Sequence, residues 1–113
     1  MNSAPITVVE TDNFLSKAKR LLNDEEKSQL VNYLAEDPEA GDIIPDTGGI
    51  RKVRWARQGG GKSGGYRAVY YYYNETIPLF AISIYAKKEK ENLTQAEKNA
   101  LKKLAALLAR YGR

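Results

Sequence analysis

Apolar residues in the first third of the chain recur at two different spacings, which predict one strand followed by two helices. Residues 6–10 are mostly β-branched, as in a short strand. Residues 12–22 and 24–37 carry apolar side chains every three or four positions, as on the buried faces of two helices, and we expect Asp12 or Asn13 to cap the first. Pro38 ends the second helix because the residue before a proline disfavours the helical conformation.

Three longer strands are predicted in the middle of the chain, over residues 50–57, 65–74 and 77–86. The tight connection at residues 74–76 predicts that the last two form an antiparallel hairpin, and residues 42–44 can add a short strand. Within residues 77–86, one alternating set contains Phe80, Ile82 and Ile84 and suits the core. Tyr85 belongs to the other set, so we expect it to face away from the core.

A final helix is predicted from Thr94 and Glu97, which have the spacing of a capping box, and an apolar stripe continues to Tyr111. The resulting order β-α-α-β-β-β-α predicts an α+β fold. In it, a single antiparallel sheet carries the two N-terminal helices and the C-terminal helix on one face, and the other face is open. At 113 residues we expect one domain, residues 1–113.

The composition excludes several kinds of site. The chain contains no cysteine and no histidine, so it has no disulfide or thiolate metal site and lacks both the commonest metal ligand and the commonest general base. We therefore expect no metal and no cofactor. The N-terminus does not have the pattern of a secretory signal, and no apolar run approaches the length of a membrane span, which predicts a cytoplasmic protein with no membrane partner.

Charge is strongly segregated along the chain. Residues 1–46 hold four Lys or Arg and ten Asp or Glu, whereas residues 47–74 hold six basic residues and no acid. Solubilising surfaces normally mix both signs. The one-sided segment therefore predicts a surface that binds a polyanion such as a nucleic acid.

Several of these cations are predicted to converge. Lys52 and Arg54 are two residues apart on one strand, so their side chains leave the same face about 7 Å apart. Arg67 begins the next predicted strand, and Lys87 and Lys88 follow the last one. Any one of these cations could simply keep an exposed face soluble, but as a group they favour anion binding.

Two other features of the basic segment have a plainer interpretation. Tyr66 and the run at residues 70–73 could stack on bases, yet alternate tyrosines of a strand point to opposite faces, so we expect half of them in the core. Residues 58–64 are rich in glycine and are predicted to form a mobile basic flap. They do not match a nucleotide-binding loop, because Ala56 stands where the first glycine is required and no helix follows.

Three motifs resemble the RelE/ParE superfamily of bacterial toxins. They are G-D-x-I-x-x-T-G-G-I-R-K-V-R at residues 41–54, G-K-x-G-G-Y-R-x-x-Y-Y at 61–71 and I-Y-x-K-x-E at 84–89. Within the superfamily the sequence is most similar to the HigB2-type, RelE-like branch. The resemblance implies an mRNA endoribonuclease, or mRNA interferase, that enters the ribosome and cuts translated mRNA. It also implies a cognate antitoxin, expected to be a helix-turn-helix protein encoded next door, as the partner that inactivates it.

The resemblance also assigns roles to residues. It implies catalytic roles for Lys52, Arg54, Arg67 and a basic residue after the last strand, Lys87 or Lys88. We take Lys87 as that residue and add Tyr85 as the nearest substitute for the family's tyrosine; Arg51, Arg57, Lys62 and Lys88 are expected to bind RNA. Lys52 is the candidate base, because neighbouring positive charges disfavour its charged form. Arg54 and Arg67 would clamp the phosphate, and Tyr85 or Lys87 would act as acid or orient the substrate. Members of the family often carry a tyrosine further along, where this chain has Asn92.

Two other functions are compatible with the same basic face. One is a nucleic-acid-binding module without catalysis. The other is a ParE-like toxin that inhibits DNA gyrase, although such members lack the basic catalytic constellation. The joint presence of Lys52, Arg54 and Arg67 weighs against the gyrase inhibitor.

Overall fold

A computed structural model of the chain describes residues 4–56 and 65–112, and within them five strands and three α-helices follow one another. The elements are β1 Val8–Glu10, α1 Asp12–Leu21, α2 Asp24–Glu36, β2 Asp42–Ile43, β3 Ile50–Trp55, β4 Tyr66–Tyr71, β5 Leu79–Ala86 and α3 Gln95–Ala109, with a final 3-10 turn Arg110–Gly112. The expected mobile flap at residues 58–64 lies outside the described residues. None of the helices in the described part is long and apolar enough to span a bilayer.

The five strands form one sheet in the order β1-β5-β4-β3-β2. Strands β2 to β5 pair antiparallel, which confirms the predicted hairpin of β4 and β5, but β1 runs parallel to β5. The fold is therefore α+β as predicted, with a mixed sheet in place of the purely antiparallel one. Strand β1 is far from β5 along the chain, so no hairpin turn forces the two strands to run antiparallel. It pairs with the edge of β5 that β4 does not occupy, where the Leu79 amide donates to the Thr7 carbonyl over 2.9 Å.

The helices cover both faces of the sheet, and the prediction that all three pack on one face is wrong. The first core cluster includes Phe14, Ala18, Leu30 and Leu34 of α1 and α2 with Val53, Ala68, Tyr70, Leu79, Ala81 and Ile84 of the sheet. The second core cluster combines Ala105 and Ala109 of α3 with Ile44, Ile50, Val69, Tyr71, Ile82 and Tyr85. The strands have apolar side chains on both sides, and α3 removes the second set from water.

A bulge in β5 explains why the alternation of that strand was predicted wrongly. Val69 pairs with Ser83, but the next residue, Tyr70, pairs with Ala81, so Ile82 is an extra residue. An extra residue reverses the side on which the following side chains lie. Ile82 consequently packs under α3, whereas Ile84 packs under α1 and α2.

The helices begin at side-chain caps. The Thr11 hydroxyl accepts a hydrogen bond from the Phe14 amide, so Thr11 caps α1 and the predicted cap at Asp12 or Asn13 is wrong. Asn23 with Glu26 and Thr94 with Glu97 form two capping boxes, the second of which was predicted. These caps fix the residue at which each helix begins, and the cap at Thr94 fixes the start of α3.

Tyr70 joins the centre of the sheet to the segment between α2 and β2. Its side chain is fully buried, and its hydroxyl donates to the Pro38 carbonyl and accepts from the Gly41 amide, both over 2.8 Å. A Cβ at Gly41 would lie 2.9 Å from both the Lys52 carbonyl and the Tyr70 hydroxyl, so only glycine fits there. Burial also raises the pKa of the Tyr70 phenol, which stays protonated and able to donate.

We expect Tyr70→Phe to lower the free energy of unfolding by about 1–3 kcal/mol, because it removes the hydrogen bonds of the buried Gly41 amide and of the partly buried Pro38 carbonyl. Urea denaturation followed by circular dichroism measures this change. Tyr111→Phe removes a hydroxyl from a side chain that is 74% exposed and should change the same quantity by less than about 0.5 kcal/mol. Equal effects of the two substitutions would contradict the proposed role of Tyr70.

Candidate functional site

Three side chains from neighbouring strands form one row across the sheet. Arg54 of β3 pairs with Arg67 of β4, which pairs with Tyr85 of β5. Adjacent strands lie about 4.8 Å apart, so the three residues are immediate neighbours. Arg67 shares its side of β4 with Val69 of the second core cluster, which places the row on the face that α3 partly covers.

Lys52 lies in the next row of the same face. Its partner on β4 is Val69, which in turn pairs with Ser83 of β5. The two rows are two residues apart, a separation of about 7 Å along the strands. On its other side Lys52 pairs with Asp42 of β2. The fold therefore brings an acid beside the basic segment, which the sequence pattern did not predict.

The row places two permanent positive charges opposite each other. Arginine stays protonated at any physiological pH, and like charges on directly opposed strand positions are destabilising. Arg54 is exposed and forms no ion pair with an acid of residues 4–56 or 65–112. Arg67 is half-buried and donates to the Tyr66 carbonyl over 3.2 Å. An anion bridging the two guanidinium groups would relieve the repulsion.

Tyr85 ends the row beneath the start of α3. It was predicted to face an open surface, but the side chain is only 6% exposed because Leu93 and Leu101 pack against the same cluster. Its hydroxyl has no hydrogen-bond partner among the described residues. Burial raises the pKa of the Tyr85 phenol and Arg67 opposes part of that rise, so the phenol is neutral at pH 7.

The turn after β5 places Lys87 and Lys88 just beyond Tyr85, past the C-terminal end of the strand. Both are exposed, and the Lys87 amide donates to the Gly65 carbonyl over 3.1 Å, extending the ladder between β4 and β5. Glu89 holds the turn: its carboxylate accepts from the Ala86 amide over 3.3 Å and from Arg20 of α1 over 3.1 Å. The bond from Arg20 is also the main reason that the pKa of Glu89 is lowered. The sequence pattern did not identify this ion pair.

Arg51, another predicted RNA-binding residue, does not join the row. Arg51 lies on the opposite side of β3, where its guanidinium donates to the Gly41 carbonyl over 2.7 Å and pairs with Glu39. Arg57 and Lys62 lie outside the described residues. Within the described part of the chain, no cluster of acids is arranged to hold a metal ion.

Comparison with known proteins identifies one family and one fold. The sequence model of the family described as "RelE toxin of RelE / RelB toxin-antitoxin system" matches residues 6–113. Among solved structures, the chain is similar to a mutant of the E. coli toxin RelE in the free state, with 22% identity, a TM-score of 0.54, and coverage of 77% of this chain and 88% of that chain. At that identity the structural likeness establishes the α+β fold.

Replacing Arg54 by glutamine should stabilise the protein, because it removes one of two opposed like charges from an exposed position. We expect a rise in the free energy of unfolding of roughly 0.2–1 kcal/mol, the scale of cross-strand pair effects, at low ionic strength. Lys103→Gln removes an exposed cation from α3 and serves as the matched control, with a smaller change expected. Urea denaturation of both variants is the measurement. A loss of stability in Arg54→Gln would show that the repulsion is not significant.

Proposed function

The chain belongs to the RelE toxin family of toxin–antitoxin systems, and from that premise we propose that it is an endoribonuclease that cuts translated mRNA in the ribosomal A site. The observation that carries the proposal is the opposed pair of Arg54 and Arg67, with Lys52 one row away on the same face. We further propose that residues 1–113 act as a single cytoplasmic domain, and that the protein belongs to the HigB2-type branch, which the motifs over residues 41–54 and 61–71 support.

Cleavage of RNA without a metal requires three operations on one phosphate. The 2′-hydroxyl must lose a proton, the negative charge of the phosphorane must be stabilised, and the departing 5′-oxygen must gain a proton. Arg54 and Arg67 supply the stabilisation, since two forked guanidinium groups on adjacent strands can each donate to a non-bridging oxygen. Arg54 and Arg67 occupy directly opposed strand positions, so both can act on the negative charge that develops on the same phosphorane.

Lys52, Lys87 and Tyr85 divide the remaining tasks. Lys52 is half-buried beside the two arginines and acts as the base on the 2′-hydroxyl. Lys87 is the proton donor to the 5′-oxygen, because it is exposed two residues beyond Tyr85. Tyr85 orients the substrate through its place beside Arg67 in the same row.

Further cations extend the RNA path away from the reacting phosphate. Lys88 follows Lys87 on the exposed turn, and Arg57 and Lys62 occupy the segment between β3 and β4, so these three are proposed to contact flanking phosphates. Arg51 is left out of the interface, because its guanidinium is engaged on the other face. The ribosome and mRNA are the partners of this face. The cognate antitoxin either covers it or binds the acidic N-terminal half.

Replacing Arg67 by alanine should abolish growth arrest on expression and lower the rate of mRNA cleavage by roughly 10²–10³-fold, the usual effect of losing one charge-stabilising donor. Cleavage is measured by primer extension on a translated mRNA after brief induction. Arg110→Ala removes an exposed arginine from the end of α3 and should leave both readouts unchanged. Circular dichroism and thermal unfolding check that Arg67→Ala is folded.

The outcomes separate the competing functions. Cuts within translated codons that disappear in a folded Arg67→Ala variant support the proposal. RNA binding without any cuts would indicate a nucleic-acid-binding module. DNA damage without RNA cuts would indicate a gyrase inhibitor, and full toxicity of a folded Arg67→Ala variant would remove Arg67 from the mechanism.

A further inference from the structure

A pocket of about 190 Å³ opens beside the cation row, between α1, β5 and α3. Its walls are mostly apolar and include Val69, Leu93 and Leu101, whereas Asn13, Ser83 and Tyr85 add polar groups. A small number of polar groups in an apolar concavity is the usual composition of a site for a small organic ligand. The catalytic proposal uses no part of this pocket except Tyr85.

The polar groups of the pocket have unused hydrogen-bonding capacity. The Tyr85 hydroxyl is buried and has no hydrogen-bond partner within residues 4–56 and 65–112. The Asn13 amide nitrogen donates to the Ile82 carbonyl over 2.9 Å, which leaves its oxygen as an acceptor. The Ser83 hydroxyl accepts from Lys17 over 3.3 Å and can still donate its own proton. Donors and acceptors are therefore both present.

The charges at the pocket favour a largely neutral ligand. Lys90 lies 5.4 Å from the centre of the Tyr85 ring, and its ammonium group is ion-paired with Glu97. Lys17 contributes one cation, which Ser83 already contacts. A phosphate would find far stronger partners in Arg54 and Arg67 on the adjacent row, so the pocket is suited to a different part of the same ligand.

The pocket is large enough to hold a single aromatic ring. A cavity of about 150 Å³ with apolar walls is enough to bind benzene, and 190 Å³ leaves room for the exocyclic oxygens or amine of a pyrimidine. The pocket is also continuous with the interface, since Tyr85 belongs to the cation row and Val69 and Ser83 belong to the row of Lys52.

We infer that this pocket binds one unpaired pyrimidine base of the RNA, attached to a phosphate held by Arg54 and Arg67. The inference rests on the proposed function and makes it more specific. The Ser83 hydroxyl and the Asn13 oxygen hydrogen-bond to the edge of the base, and Tyr85 and the apolar walls pack against it. The pocket thereby gives the enzyme a base preference next to the cut, which the cations alone cannot provide, because phosphate contacts carry no sequence information.

A titration of the purified, full-length protein tests the pocket without requiring catalysis. Uridine 5′-monophosphate should shift the backbone amide NMR signals of Ser83, Leu93 and Leu101. Ribose 5-phosphate, which has the phosphate and sugar but no base, should leave those signals in place, and adenosine 5′-monophosphate should bind more weakly than the pyrimidine nucleotide. The inference is overturned if the pocket signals do not move with uridine 5′-monophosphate, if ribose 5-phosphate moves them equally, or if the purine binds as tightly.

A pair of matched variants on one helix assigns the binding to this pocket. Ala100 and Ala106 are both exposed residues of α3, but only Ala100 lines the pocket. Ala100→Leu should fill the space and weaken binding of uridine 5′-monophosphate by roughly tenfold or more, whereas Ala106→Leu should leave it unchanged. Unaltered affinity in a folded Ala100→Leu variant would overturn the assignment.

Sequencing the 5′ ends of cut mRNA after induction then distinguishes the two proposals. The absence of cuts contradicts the proposed function, and the titration still decides whether the pocket binds a base. If cuts are present, wild type should favour a pyrimidine at one position beside the cut, Ala100→Leu should lose that preference while still cutting, and Ala106→Leu should keep it. Cuts without a base preference, or a preference that survives Ala100→Leu, contradict the pocket inference alone.

Discussion

Strand β4 is buried on both faces and paired on both edges, and the rest of the molecule depends on that position. Ala68 and Tyr70 pack under α1 and α2, whereas Val69 and Tyr71 pack under α3. A strand in such surroundings tolerates few charges, because burying an unpaired charge is costly. Arg67 is the one charged residue of β4 and lies near its N-terminal end. The register between β3 and β4 therefore determines which cation of β3 lies opposite Arg67.

Helix α3 divides the second face of the sheet into two regions with different properties. The helix packs on Ile50, Val69 and Ile82 and completes a hydrophobic core there. Arg54 lies outside the area that the helix covers and is exposed to solvent. Tyr85 lies at the boundary between the two regions, where its ring belongs to the core and its neighbour on β4 is Arg67. The proposed catalytic row and the proposed base pocket meet at this residue, so phosphate binding and base binding are expected to be coupled through it.

Local patterns were sufficient to predict the elements but not how they are arranged. The capping box at Thr94, the end of α2 before Pro38 and the hairpin of β4 and β5 all depend on residues close in sequence, and they were predicted correctly. The parallel pairing of β1 depends on contacts between distant parts of the chain. The bulge at Ile82 is likewise visible only in the pairing register, and it reversed the expected side of Ile84.

By itself the sequence determined the element types, the capping box of α3 and the concentration of cations over residues 47–74, since each follows from spacing and composition. Only the tertiary structure decided which cations come together. It placed Arg54 opposite Arg67, left Lys52 one row away, and directed Arg51 to the opposite face toward Gly41. It also buried Tyr85 under α3. The reason is that side-chain proximity across a sheet depends on register and on which helix covers which face, and neither is encoded in local periodicity.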